Sequence, residues 1–268
     1  MFETDAGRLA EALGLPLYRC DYFLPDYPLG ECGKWRITKL GTGIDHGYYT
    51  ARWVTTGVPV LLRHNPASPK EWETWMSLSP HEIESQEPGC LCVHGHTVIM
   101  GLGMGWVAVN AALNPQVTRV TVVELDRNVI DLFHACGISA QLPPEVAAKI
   151  TIIQADALEW QPSGPVDVLY ADIWRPVADT AALGDTQRMQ ANVKAREVYF
   201  WGQELRLYLA AQERFGAQAA LTSARLAVCA AEDLQLPLLL PWGEYYGSRI
   251  DAAVKNRRKR GLPLEERA

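Results

Sequence analysis

A chain of 268 residues is long enough for one large domain, or for a nucleotide-binding domain with a smaller companion. With 48% hydrophobic and 21% charged residues, its composition is that of a folded globular protein and excludes a disordered one. A formal charge of −6 sets the surface as a whole against phosphate backbones, and no apolar run approaches the roughly 20 residues a membrane span needs.

The first stretch, "MFETDAGRLAEALGLPL", carries acids where a signal peptide has basic residues, so a short amphipathic helix is expected there. The six cysteines are scattered without a C-x-x-C pair, which argues against a disulfide scaffold and a zinc site and for reduced thiols in a cytoplasm. Residues 34–64 alternate and are β-rich ("KWRITKL", "YYTARWVTTG", "VPVLLRH"), which predicts an antiparallel sheet or a set of hairpins. "SPKEWETWMSLSPHEIESQEPG" follows, and its two Ser-Pro pairs suit the first turns of two short helices. The "HGH" at 94–96 reads as polar loop, and no metal is expected.

From residue 97 the pattern becomes strand, helix, strand, helix: "TVIMG", "WVAVNAAL", "VTRVTVVEL", "RNVIDLFHA", "KITIIQAD", "ALEW", "VDVLYADIW". Continuous apolar strands between helical segments imply a parallel sheet covered on both faces. Residues 178–235 and 247–260 read as mainly helical, with "LPLLLPW" (236–242) the one further strand expected. The boundary falls near residue 85, giving a small β-rich part over 1–85 and an α/β part over 86–268. The basic run "KNRRKR" at 255–260 reads as a solvated helix end in preference to an RNA-contacting tail.

The strand "VIM" ends in Gly101, Gly103 and Gly105 and opens into a helix. Such a loop collects backbone N–H groups and the positive end of a helix dipole, which makes a site for phosphate or carboxylate. Glu124 ends the next strand, where an acid can accept both hydroxyls of a ribose. Asp156, with the backbone of Ala157 beside it, follows the third strand and can accept the amino group of an adenine. Asp172 ends the fourth, on the strand returning beside the glycine loop, and faces the reacting group. NAD or FAD needs a glycine where Trp106 stands.

Residues 97–175 resemble class I S-adenosylmethionine-dependent methyltransferases, especially their spermidine-synthase-like branch. That branch also has a small β-rich N-terminal domain, and "WMSLSPHEIESQ" looks like its linker helices. The resemblance implies a Rossmann-like class I methyltransferase fold, α/β, with a largely helical C-terminal part. It also implies S-adenosylmethionine as cofactor, with its amino-acid end on the glycine loop. Two departures bear on the substrate. The branch's "GGGDGG" is matched by "GLGMGW", with Met104 in place of the acid, which favours the intact cofactor over its decarboxylated form. Its "TDSSDP" is matched by "ADIWRP", where Arg175 replaces an acid that would help hold a polyamine.

Methyl transfer to a small molecule, with Asp172 as base or orienting group, is the favoured reading. The alternative is attack at the γ-carbon of the methionyl chain with release of methylthioadenosine, either transferring the aminocarboxypropyl group or closing azetidine-2-carboxylate. Its ground is the lack of the usual last strands and of any recognisable acceptor motif. A non-catalytic cofactor-binding module is the third reading. Of the aromatics Tyr48, Tyr49, Trp53, Trp106, Trp174, Tyr245 and Tyr246, most are expected in packing, with Trp174 the best cavity wall. His81, Glu82 and Gln86 could reach the cleft from the N-terminal side, although a solvated helix face is the plainer reading. The resemblance implies a small-molecule substrate; apolar-run length argues against a membrane and net charge against a nucleic-acid partner, and a homodimer is left open.

Overall fold

The computed structural model describes residues 2–67 and 71–266. The opening segment forms α1 (Phe2–Leu13), which buries Ala6 and Ala10 against Val54. The alternating segment forms β1 (Gly30–Cys32), β2 (Trp35–Lys39), β3 (Gly43–His46), β4 (Arg52–Thr55), β5 (Pro59–His64) and β6 (Trp72–Ser77). Strands β1, β2, β5 and β6 pair antiparallel in that order, and β3 and β4 form a separate hairpin. Period-2 alternation sets the buried face: Trp35 and Ile37 on β2 and Leu61 on β5 enter the main core.

One expectation fails here. "WETWMS" was expected in a helix and is instead edge strand β6, paired to β5 through a register shift at Leu61/Leu62. The first Ser-Pro pair, at 68–69, lies outside the described residues. The second does open a helix: Ser79 caps α2 (Pro80–Cys92) by accepting the Glu82 N–H, with Pro80 in the first turn. The boundary near residue 85 thus falls inside α2.

The chain then builds β7 (Gly95–Met100), α3 (Trp106–Leu113), β8 (Val117–Glu124), α4 (Arg127–Ala135), α5 (Pro144–Ala147), β9 (Ile150–Gln154), β10 (Val168–Ala171), α6 (Ala182–Val193) and β11 (Glu197–Phe200). These five strands form one parallel sheet in the order β11-β10-β7-β8-β9. Both faces are buried. Ile99, Val122, Tyr170 and Tyr199 enter one core, while Val98, Met100, Val123, Leu169 and Phe200 enter the other. Connections leave β7 toward β8 on one side and return to β10 on the other, so strand order reverses between β7 and β10. In open α/β sheets ligands bind outside the carboxyl ends of the strands at that reversal.

Two further sequence expectations are corrected. "ALEW" is a turn following β9 and makes no helix. The last sheet strand is β11, from "EVYF", whereas 236–242 contributes only a single bridge from Leu238 to Val198. A four-residue strand is too short to show a periodicity of its own, so within a helical stretch it reads as helix. Beyond β11 come α7 (Gln203–Phe215), α8 (Ser223–Val228) and α9 (Tyr246–Lys259). Their core takes in Tyr48 and Tyr49 from the N-terminal part. Asn256 on α9 donates its side-chain amide to the Thr50 carbonyl, and Glu84 on α2 accepts the N–H groups of Tyr49 and Thr50 at 2.8 and 3.1 Å.

Helix α2 lies flat on the sheet because residue 89 is glycine: a Cβ there would stand 2.3 Å from the Tyr170 ring and 2.6 Å from the Tyr199 ring. Gly89→Ala is therefore expected to destabilise the fold by about 1–3 kcal/mol through overpacking. Gly184→Ala in α6, where a Cβ would meet nothing within 4 Å, should be neutral or stabilising by up to about 1 kcal/mol. Denaturant melts of the two variants check the contrast.

Candidate functional site

The loop after β7 and the end of β10 meet at the strand-order reversal. The Asp172 N–H donates to the Met100 carbonyl at 2.9 Å, and the Gly101 N–H to the Val123 carbonyl at 2.8 Å. Gly101 has φ +97°, and a Cβ on it would lie 2.1 Å from the Asp172 carbonyl oxygen. The close approach that requires glycine here is that of the neighbouring strand end. A Cβ at Gly103 would meet the Met76 sulfur at 2.5 Å, and one at Gly105 the Phe133 ring at 2.3 Å. Gly105 caps α3 from behind the loop.

Glu124, at the end of β8, accepts the Leu102 N–H on one oxygen at 2.9 Å and the Asp126 N–H on the other at 2.8 Å. It thereby ties the glycine loop to the neighbouring strand. Burial pushes its carboxyl above the usual range, partly offset by these backbone donors. Asp156 accepts the Leu158 N–H at 2.8 Å, which shapes the turn after β9.

A cavity of about 360 Å³ joins these groups, within the range of small-molecule sites. Gly101, Gly103, Glu124, Asp156, Ala157, Asp172 and Trp174 all line it, and Gly105 does not. The Trp174 indole N–H donates to Asp185 at 2.9 Å, which fixes its ring in the wall. Trp106 forms part of the wall while packing edge-on against Tyr22 at 5.5 Å.

The second half of the site comes from α2. Gln86 and Glu82 line the cavity, and Gln86 is only 1% exposed, so the solvated-face reading is corrected for both. The Tyr170 hydroxyl donates to Gln86 Oε1. That leaves the amide nitrogen to donate to Asp172 Oδ2 at 2.7 Å. Burial raises the Asp172 carboxyl to about 7, with the Gln86 donor opposing. Burial, and then the charge of Asp172, push Glu82 well above the ordinary carboxyl range. The charge of Asp172 thus favours the protonated form of Glu82. His81 is no part of this: it packs edge-on against Tyr48 at 5.4 Å, and burial lowers its pKa to about 3.

Tyr48, Tyr49 and Tyr246 are core residues around the fully buried Glu204, which accepts the Tyr246 hydroxyl at 2.8 Å and the Tyr199 hydroxyl at 3.2 Å. Trp53 packs edge-on against Tyr18, and Tyr245 is exposed. Trp35, Trp75 and Trp201 line the cavity without having been singled out in the sequence, and Arg175, which the sequence marked as a departure from the polyamine pattern, lines it too. Within the basic run only part is solvated: Arg257 is 3% exposed and donates to the Pro263 carbonyl and to Glu266 at 2.6 Å. His96 is buried beside Thr121, and the described residues hold no cluster of three metal-ligating groups.

An aspartate protonated up to about pH 7 when folded, but ionised above about pH 4 when unfolded, costs the fold stability as pH rises between those values. Asp172→Asn removes that cost. Its stability relative to the parent should therefore rise from pH 5 to pH 8, and equal pH slopes in denaturant melts would contradict the assigned shift.

No family model matches the chain, and no curated protein sequence does. Solved structures with a similar fold include a glycopeptide N-methyltransferase, MtfA, complexed with S-adenosyl-L-homocysteine. Its identity is 19%, over 41% of this chain and 41% of that one, with a TM-score of 0.32. PH1948 of Pyrococcus horikoshii, described as a proposed RNA methyltransferase, is 18% identical over 48% of this chain and 62% of that one, with a TM-score of 0.35. A DhpI–SAM–HEP complex is 15% identical over 41% and 50%, with a TM-score of 0.30. The chain spans less than two thirds of the length of each. At such scores the likeness is partial, and the functional reading rests on the cavity's own residues.

Proposed function

We propose that the protein binds S-adenosylmethionine in this cavity and transfers its methyl group to a small acceptor, with Asp172 as the base. The observation that carries the reading is the convergence of four consecutive strand ends on one cavity, with a carboxyl of raised proton affinity at its floor. The Gly101–Gly103 loop holds the amino-acid end, Glu124 the ribose hydroxyls, and Asp156 with Ala157 the adenine edge. The lack of an acid at Met104 suits a carboxylate in the loop. When bound, the cofactor supplies a methyl group activated by a sulfonium. Asp172 Oδ2 is taken by Gln86, so Oδ1 is the oxygen free to accept the acceptor's proton. Trp174 closes the wall beside it and excludes water. Residues 86–268 carry this site in our reading, and 1–85 cover it through Trp35, Trp75 and Met76.

The grounds for γ-carbon attack are the expected lack of last strands and of an acceptor motif. Strand β11 and the Leu238–Val198 bridge remove part of the first, so methyl transfer stands first. The deciding experiment follows the fate of the cofactor. Purified protein incubated with S-adenosylmethionine alone is expected to turn over little, and to release adenosylhomocysteine once an acceptor is supplied. Rapid methylthioadenosine release without an acceptor, read by mass spectrometry against a no-protein control, overturns the choice. Glu124→Ala should weaken cofactor binding by roughly 2–4 kcal/mol, because two charge-assisted bonds are lost. Unchanged affinity by calorimetry removes the ribose assignment.

A further inference from the structure

Beside the main cavity lies a second one of about 320 Å³, lined by Thr74, Ser77, Glu82, Arg175 and Glu266 among others. Glu82, Arg175, Trp75 and Met76 line both, so the two meet at these side chains. Arg175 is the cation at the junction. The other cations of the main cavity are engaged: Lys34 pairs with Asp126 at 2.9 Å, and Arg63 sits over the rings of Trp75 and Trp35 at 5.3 and 5.9 Å. Among the described residues Arg175, with its side chain 45% exposed, makes a single polar contact, at 3.5 Å to Glu73, whose other oxygen accepts from Asn65. A guanidinium has five donors in a planar fork that fits a carboxylate in two-point fashion. One long contact leaves that fork almost wholly unused.

The two acids that line the second cavity are offset: burial favours the protonated form of Glu82, and Glu266 is paired with the buried Arg257 at 2.6 Å. Arg175 follows Asp172 by three residues, so their α-carbons are at most about 11 Å apart. A molecule reaching both is small, with a group that yields a proton at one end and an anion at the other.

We propose that the acceptor is an amino acid, whose amine faces Asp172 and whose carboxylate is held by Arg175 in the second cavity. This rests on the methyl-transfer reading above. In the step, the neutral amine nitrogen forms a bond to the methyl carbon while the carbon–sulfur bond breaks with its electron pair going to sulfur. The proton lost from nitrogen passes to Asp172 Oδ1 and then to solvent. Products are the N-methylated amino acid, adenosylhomocysteine and one proton.

The test uses the full chain. Cofactor affinity is measured first by calorimetry, for parent and Arg175→Gln. Each protein amino acid is then supplied with S-adenosylmethionine alongside its carboxamide and its decarboxylated amine, and adenosylhomocysteine is read by mass spectrometry. At least one amino acid should be used with kcat/KM ten-fold or more above its amide and its amine. For that substrate Arg175→Gln should raise KM ten-fold or more with cofactor affinity unchanged, Arg175→Lys should recover part of the loss, and Glu73→Gln should leave KM equal or lower. Equal use of the amides or amines, no use of any amino acid, or an indifferent Arg175→Gln overturns the inference while leaving the cofactor reading standing. Absence of cofactor binding by the parent overturns both.

Discussion

A helix that buries consecutive polar side chains must satisfy each of them, because an unpaired one costs more than its bond would return. Helix α2 is under that constraint. Glu84, Ser85 and Gln86 are consecutive, all buried, and about 100° apart around the axis, so each looks to a different element. Glu84 fastens the loop at 49–50, Ser85 accepts the Trp201 indole N–H at 2.8 Å, and Gln86 joins Tyr170 to Asp172. One helix thereby orients the N-terminal part, the loop after β11 and the acid at the cavity floor. Asp172 is supplied by the parallel sheet, but its free oxygen is chosen from outside it.

The same burial sets the electrostatics on both flanks of α2. Asp172 on one side and Glu204 on the other are each raised to about 7 chiefly by desolvation, with hydrogen bonds to amide or phenol groups opposing. Among the described residues neither has a cation as its partner. Carboxyls treated this way exchange protons in the neutral range, where an ordinary surface aspartate holds none.

Four of the five sheet strands, β7 to β10, were legible because they are apolar runs leading to a glycine or an acid, and those strand ends are also where the cavity residues stand. Gly101, Gly103, Glu124, Asp156 and Asp172 could be located from that pattern alone. What could not be read was the neighbour each of them meets. Gly101 is required by the Asp172 carbonyl and Gly105 by Phe133, contacts between residues 71 and 28 positions apart that no local pattern records. Gln86 and Glu82 were hidden for a related reason. Polar residues on a short helix look solvated until a second layer covers them, and that layer comes from β10, β11 and the helices after them. Strand β6 was misread because Ser-Pro punctuation is shared by helix starts and by the ends of strands.

The contact between Asn256 and Thr50 spans 206 residues. The loop it secures is the one Glu84 grips from α2, so the frame around Asp172 closes only when nearly the whole chain has been made. During synthesis the sheet strands emerge, and can pair, well before α9 is available. A chain assembled in this order holds its parallel sheet early and its cavity late, with the N-terminal hairpins exposed in between. Long-range closure of this kind slows folding and lengthens the exposure of unpaired strand edges.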